Sequence, residues 1–220
     1  MPEHDIVTLD GPAGVGKTTL ARMTARTLAI PYLDTGAMFR ALAWLTEASD
    51  TETEIRARLE SMRFSLRGSG QDSQLLVNGR PLGPEIRTEE TGVRASCLAQ
   101  YPFVREALKT AQRRIGMESS LVVEGRDMGT EVFPRARFKF YLTASPEVRA
   151  KRRWAQLQAL GEQVDIQELT RTIAERDARD SSRAIAPLRP APDACRIDTS
   201  NLDLAGVLRK IQEHINSVKG

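Results

Sequence analysis

Short apolar runs alternate along the chain with segments in which apolar residues recur every three or four positions. The runs have the length and uniform hydrophobicity of buried parallel strands, and they cover residues 6–9, 30–33, 120–124, 138–142 and 195–198. The segments of helical periodicity extend from the first glycine-rich loop to about 29, over 41–62 in two pieces, over 88–116 with a break near Pro102, from 145 onward, over 169–182 and over 202–218. This alternation predicts an α/β fold with a parallel central sheet flanked by helices in three layers.

The pattern changes between residues 63 and 83. Arg63–Arg67 and Gln74–Val77 are typical of strands, glycines lie between them, and Asn78-Gly79 is a strong hairpin signal. We therefore expect a small antiparallel insert that interrupts the strand-helix rhythm.

The segment between the first strand and the first helix contains Gly-x4-Gly-Lys-Thr, the spacing of a P-loop, in the strand-loop-helix context that this motif requires. Its glycines allow backbone N–H groups to point at phosphates. The motif predicts that Lys17 reaches the β- and γ-phosphates of a nucleotide and that the Thr18 hydroxyl binds Mg²⁺. The predicted nucleotide-binding residues are Gly11, Pro12, Ala13, Gly14, Val15, Gly16, Lys17, Thr18 and Thr19.

Polar residues follow two further strands at their carboxyl ends, where open α/β sheets bind ligands. Asp34 or Thr35 can cap a helix that carries Arg40 one turn inside, which is a plausible second phosphate site. Arg126 and Asp127 come directly after the strand at 120–124.

Arginine is concentrated between Arg149 and Arg189. Within this segment Arg176, Arg179, Asp180 and Arg183 have the spacing of one helix face. A solvated face with ion pairs is the simplest interpretation, but a P-loop favours arginines that hold phosphates and stabilise a transferring phosphoryl group. Two helices joined by a loop near Gly161 also suit a lid that closes over the site.

Composition mainly limits the classes of function that the protein can have. The 220 residues carry 32 basic and 29 acidic side chains, a net charge of +3 that permits nucleic-acid binding without suggesting it. Cys97 and Cys195 lack metal or redox spacing and are expected to be core or subsurface thiols. The sequence shows no leader and no apolar run of membrane-spanning length, so we expect a cytoplasmic protein.

Four motifs together resemble bacterial cytidylate kinase: Asp10–Thr18, Leu33–Arg40, Gly125–Thr130 and Arg176–Leu188. The resemblance spans essentially the whole chain in the same order and includes the antiparallel insert. It implies transfer of the ATP γ-phosphoryl group to CMP or dCMP, giving ADP and CDP or dCDP, with Mg²⁺. Two positions depart from the family, which often has Ser where this chain has Thr35, and Gly or Ser where it has Thr18.

The resemblance also implies roles for individual residues. Thr35, Arg40 and Arg126 would hold the acceptor phosphate, whereas Arg176, Asp180 and Arg183 would contact sugar and phosphates. Ser96, Arg105 and Asp127 would meet the cytosine, although on spacing alone Ser96 and Arg105 would be surface residues. The expected catalytic residues are Lys17, Arg126, Arg176 and Arg183.

The expected domain organisation is a P-loop core interrupted by an acceptor-binding domain and a helical lid. The core covers 1–36, 101–149 and 169–220, the acceptor-binding domain 37–100 with the insert at about 63–83, and the lid 150–168. A monomer acting on small nucleotides, without nucleic acid or membrane, is expected. Two alternatives stay open: another small P-loop kinase, for a different nucleotide or a metabolite such as shikimate, and a nucleic-acid-associated NTPase or nucleotide-dependent binding module.

Overall fold

The computed structural model describes residues 4–159 and 161–219. The first three residues and the last residue of the predicted core, and residue 160 of the predicted lid, lie outside this range. The central sheet has five parallel strands in the order β2-β6-β1-β7-β8. They are β1 (Ile6–Asp10), β2 (Tyr32–Asp34), β6 (Leu121–Gly125), β7 (Phe138–Thr143) and β8 (Cys195–Asp198). The predicted parallel sheet is therefore confirmed.

Helices cover both faces of this sheet. They are α1 (Lys17–Leu28), α2 (Thr35–Leu45), α3 (Glu52–Ser61), α4 (Glu89–Leu98), α5 (Pro102–Gly116), α6 (Pro146–Ala159), α7 (Ile166–Ser182) and α8 (Leu204–Lys219). The break between α4 and α5 is where the sequence predicts it, because Pro102 favours the first position of a helix. The predicted start of α7 at Leu169 is wrong by one turn, since the Asp165 carboxylate accepts the Gln167 amide and caps an earlier start.

Two apolar clusters fill the two sides of the sheet, because parallel strands bury both faces. One joins Leu33 and Val123 to the inner faces of α2 and α5, and the other joins Leu9 and Phe140 to those of α1 and α8. This confirms the predicted three-layer arrangement. Within the described residues no helix is long and apolar enough to cross a membrane.

The predicted antiparallel insert is confirmed and has a third strand. Its order is β3 (Phe64–Arg67), β4 (Gln74–Val77) and β5 (Arg80–Pro81). Asn78 and Gly79 both have positive φ, 51° and 77°, as the tight hairpin turn requires. The link between β3 and β4 contains a short 3₁₀ turn, Gly70–Asp72, which packs against α1.

Both cysteines are free thiols, and the expectation for Cys97 is wrong in part. Cys195 is partly buried, but Cys97 is exposed on α4. The neighbouring residue on that helix, Ser96, is the one that turns inward.

Candidate active site

The loop between β1 and α1 leaves its amides open to a ligand. Gly11 has φ 147°, and a Cβ there would lie 2.2 Å from the carbonyl oxygen of Leu142, so only glycine fits. Gly16 caps α1 without a side-chain hydrogen bond, and no acidic residue lies in the first turn. The positive end of the helix dipole therefore faces the loop, as a phosphate site requires.

Lys17 lies buried beneath this loop, where its Nζ donates to the carbonyl oxygen of Pro12 at 2.6 Å. Burial, and next the positive charge of Arg126, lowers the pKa of Lys17 to about 7, while the carboxylate of Glu124 acts in the opposite direction. An anion bound beside Lys17 would relieve both unfavourable effects.

Glu124 is a site residue that the sequence analysis did not single out. It follows three buried apolar residues at the end of β6, directly opposite Leu9 in the neighbouring strand β1. Its carboxylate accepts the hydroxyl of Tyr32 and lies within hydrogen-bonding reach of Thr18. Burial, and then Asp34, raises the pKa of Glu124, whereas Lys17 lowers it. The signal in the sequence was an acidic residue near the end of an apolar strand. Its position beside the P-loop strand follows from the pairing of β6 with β1.

Asp10 fastens the P-loop strand to the segment that follows β6. Its two carboxylate oxygens accept the amides of Met128 and Gly129 at 2.9 and 2.8 Å, at the start of a π-helical turn, Met128–Val132, that the sequence analysis did not predict. Burial raises the pKa of Asp10 from 3.8 to about 6, against the effect of these two hydrogen bonds. Asp10 therefore keeps the segment carrying Arg126 and Asp127 in register with the P-loop.

The raised pKa of Asp10 predicts a pH-dependent effect of Asp10→Asn on stability. Between pH 5 and pH 7.5 the folded protein must ionise a buried carboxyl that the unfolded chain has already ionised, so the contribution of Asp10 to stability falls as pH rises. Relative to the wild type, the variant should gain about 1 kcal/mol in the free energy of unfolding over this interval. Urea unfolding at both pH values measures this difference. The exposed Asp72→Asn is the control, and an equal shift in both variants would contradict the prediction.

A cleft of about 410 Å³ opens beside the loop and brings together every predicted acceptor-site residue. Arg176 and Asp180 of α7 line it, as does Arg183, which follows the last residue of that helix, whereas Arg179 does not. The predicted site residues that line this cleft are Ala13, Gly14, Lys17, Thr18, Thr35, Arg40, Ser96, Arg105, Arg126, Asp127, Arg176, Asp180 and Arg183.

Asp180 organises the arginines of the cleft. Its carboxylate accepts Nε of Arg126 at 2.9 Å, and its carbonyl oxygen accepts Nε of Arg183 at 3.1 Å. Burial by itself would raise the pKa of Asp180, but the charges of Arg126 and Arg183 hold it below its ordinary value. Burial, together with the charge of Arg126, lowers the pKa of Arg176 to about 10. Eight lysine and arginine side chains line the cleft against five carboxylates, so the cleft holds an excess of positive charge.

Several polar atoms in the cleft are buried without a hydrogen-bond partner among the described residues. They are Nε of Arg40, Nε of Arg176, Nη2 of Arg183 and Oγ of Ser96. A buried donor without a partner costs about 1–3 kcal/mol, so such groups indicate a ligand that supplies the acceptors. Phosphate oxygens are the acceptors that guanidinium groups match best.

The second predicted phosphate site is partly occupied by protein contacts. Asp34 caps α2 through the amide of Ala37 and pairs with Arg40 at 3.0 Å. The Thr35 hydroxyl donates to the carbonyl oxygen of Glu124 at 2.7 Å, so it can offer a ligand only its lone pairs. Thr35 thereby ties the start of α2 to the end of β6.

Arg105 and Asp127 form an ion pair at one end of the cleft, with side chains 9% and 8% exposed. The surface positions predicted from spacing for Arg105 and Ser96 are wrong. Asp127 compensates the charge of Arg105, whose guanidinium carbon also lies 5.8 Å from the ring centre of Phe39. Ser96 is buried where α4 packs against α2.

Comparisons with known proteins give one consistent family. The model of the cytidylate kinase family matches residues 7–217. The chain is 56% identical over 218 residues to a cytidylate kinase of Nitratidesulfovibrio vulgaris, covering 98% of this chain and 94% of that protein. It is 44% identical to a cytidylate kinase of Lawsonia intracellularis, covering 98% and 97%. Among solved structures, a shikimate kinase from Bacteroides thetaiotaomicron aligns with a TM-score of 0.50 at 18% identity over 96% of this chain and 98% of that chain, which supports the fold alone.

Proposed function

The chain belongs to the cytidylate kinase family, and we propose that, as a nucleoside monophosphate kinase acting on cytidylate, it takes ATP as donor and CMP or dCMP as acceptor. The products would be ADP and CDP or dCDP. The observation that carries the proposal is a group of buried donors on Arg40, Arg176 and Arg183, which line the P-loop cleft and have no hydrogen-bond partner in the part of the chain that the structure describes.

The acceptor needs no general base. The second pKa of a nucleoside monophosphate is near 6, so at pH 7 the attacking phosphate oxygen is already mostly ionised. The protein then has to bring two anionic groups into line and stabilise the charge of the transferring phosphoryl group. A cleft with excess positive charge suits that task.

On the donor side, the backbone N–H groups between Ala13 and Thr19 would hold the phosphates of ATP, and Lys17 would give up its bond to the carbonyl oxygen of Pro12 for them. The Thr18 hydroxyl and the Glu124 carboxylate fit Mg²⁺, since they are adjacent oxygen ligands and this ion takes its remaining ligands from phosphates and water. Mg²⁺ bound there would neutralise charge on the β- and γ-oxygens.

On the acceptor side, we assign Arg40 and Arg126 to the phosphate of CMP, joined by Thr35 when its hydroxyl leaves the carbonyl oxygen of Glu124 and donates to a phosphate oxygen. Arg176 and Arg183 would stabilise the transferring group, and Asp180, which orients Arg126 and Arg183, would also be available to the sugar. Arg126, Arg176, Arg183 and Lys17 are therefore the proposed catalytic residues.

The ion pair of Arg105 and Asp127 explains why the base would be cytosine. The pair presents an acceptor beside a donor, and cytosine offers its amino group beside the N3 and O2 acceptors. Asp127 would accept from the amino group while Arg105 donates to the ring. The Ser96 hydroxyl, which has no partner among the described residues, would make a further contact to the base.

We also propose the domain organisation in which 37–100 carries the acceptor site and 150–168 is the lid. Supporting this, Arg153 of α6 forms an ion pair with Glu89 of α4 across the cleft. We also propose that the protein acts as a monomer on small nucleotides.

A substrate panel tests this function against its alternatives. ADP release should be fast with CMP and dCMP and slow with AMP, dTMP and shikimate. Preferred turnover of shikimate would favour a metabolite kinase. Stimulation by polynucleotide with strong salt dependence would favour a nucleic-acid-associated NTPase.

Arg40→Lys and Arg126→Lys should each lower kcat/KM for CMP by about 10-fold or more, although both keep the charge. The reason is that lysine cannot reproduce the planar fork, and in Arg126→Lys the bond of Nε to Asp180 is also lost. The control is Arg171→Lys on the same helix as Arg176, at a side chain that is 70% exposed. If both cleft variants behaved like the control, neither arginine would contact the acceptor phosphate.

A further inference from the structure

Tyr32, on β2, contacts β6, α1 and the antiparallel insert. None of the roles assigned above involves it. Its side chain is almost completely buried, and its hydroxyl donates to Oε1 of Glu124 at the end of β6. A phenol is protonated at neutral pH, so this hydroxyl is a donor to the carboxylate. The carboxylate it orients is the one beside Lys17 and Thr18.

The main chain of Tyr32 is held by the antiparallel insert. Within the described residues, strand β2 is at the edge of the central sheet and pairs only with β6. The link between β3 and β4 covers its other side through Ser73. The Tyr32 amide donates to Oγ of Ser73 at 2.9 Å, and that hydroxyl donates to the carbonyl oxygen of Gly70 at 2.8 Å. The amide of Gly70 donates in turn to the carbonyl oxygen of Ile30 at 2.9 Å.

The ring of Tyr32 is fixed from a third direction. The guanidinium carbon of Arg22, on α1, lies 5.1 Å from the ring centre, within cation-π range. Nη1 of the same arginine donates to the carbonyl oxygen of Gln71 in the insert at 3.3 Å. The helix that starts at Lys17 and the insert therefore enclose Tyr32 together.

We propose that Tyr32 is a positioning residue that holds the Glu124 carboxylate for the metal-bound donor nucleotide, and that the insert fixes Tyr32 through Ser73. This inference rests on the proposed role of Glu124 at Mg²⁺. It gives the insert a function on the donor side of the cleft, in addition to its place in the acceptor-binding domain. A group that orients a metal-bound carboxylate affects the metal complex much more than the nucleotide alone.

The test compares ATP binding in excess Mg²⁺ with ATP binding in EDTA, by calorimetry without acceptor. Tyr32→Phe should weaken binding of the magnesium complex about 10-fold and change binding of metal-free ATP less than about 2-fold. Ser73→Ala should also lower the ratio of ATP affinity with Mg²⁺ to ATP affinity in EDTA, by a smaller amount. The exposed Tyr101→Phe and Ser69→Ala are controls that should leave the ratio of the two affinities unchanged.

Equal weakening with and without Mg²⁺, or no weakening, in Tyr32→Phe would overturn the inference. Glu124→Gln separates this outcome from failure of the proposed function. If Glu124→Gln no longer binds ATP more tightly with Mg²⁺ than in EDTA, and Tyr32→Phe still does so as the wild type does, then Glu124 holds Mg²⁺ and Tyr32 does not position it. If Glu124→Gln also keeps it, the assignment of Mg²⁺ to Glu124 fails first.

Discussion

Lys17→Ala is expected to lower kcat by about 10²–10³-fold or more, because it removes the charge that meets the donor phosphates. The fold should survive the change. Burial lowers the pKa of Lys17 to about 7, which means that the folded protein holds this ammonium group at a cost before a ligand arrives.

Steady-state kinetics with saturating CMP, together with urea unfolding, separates these two expectations. The variant should unfold at the same or higher urea concentration than the wild type. Lys210→Ala, an exposed lysine of α8, is the control and should leave both quantities unchanged. Near-normal kcat in Lys17→Ala would remove the basis for a P-loop kinase mechanism.

Asp127→Ala should lower kcat/KM for CMP by about 10–1000-fold and lower that for UMP much less. In the wild type the cytosine amino group would donate to Asp127, whereas uracil would present a carbonyl oxygen to the same carboxylate. Removing the carboxylate therefore removes both the favourable contact with cytosine and the repulsive contact with uracil. The ratio of kcat/KM for CMP to kcat/KM for UMP should then become smaller.

Asp127→Ala also leaves Arg105 buried without its partner, which can destabilise the fold. Asp127→Asn keeps the shape, and its amide can accept or donate, so the ratio should narrow in this variant too. Glu168→Ala, at a side chain that is 68% exposed, is the control. An unchanged CMP to UMP ratio in both Asp127 variants would show that Asp127 does not distinguish the bases.

The sequence was most informative where one local pattern determines one local structure. The P-loop spacing, the hairpin at Asn78-Gly79 and the break at Pro102 each depend on the conformational preferences of one or two residues. Uniform apolar runs likewise predict buried parallel strands, because both faces of such strands are covered.

Residues whose role depends on packing between distant segments could not be predicted in this way. Arg105 and Ser96 have the spacing of surface residues. Arg105 is buried because it pairs with Asp127, and Ser96 is buried because α4 packs against α2. The place of Glu124 in the site depends on the pairing of β6 with β1. The role proposed for Tyr32 depends on the contact of the insert with β2. Family resemblance supplied Arg105 and Ser96, whereas the structure supplied Glu124 and Tyr32.

We propose that this kinase recognises cytosine through the adjacent donor and acceptor of Arg105 and Asp127. The quantity to measure is kcat/KM for CMP and for UMP, on the wild-type protein under the same conditions with ATP and Mg²⁺. The two substrates have nearly the same shape, so only hydrogen bonding can separate them strongly. We expect a preference for CMP of about 10–1000-fold. Equal values of kcat/KM, or a preference for UMP, would show that the ion pair does not distinguish the two bases.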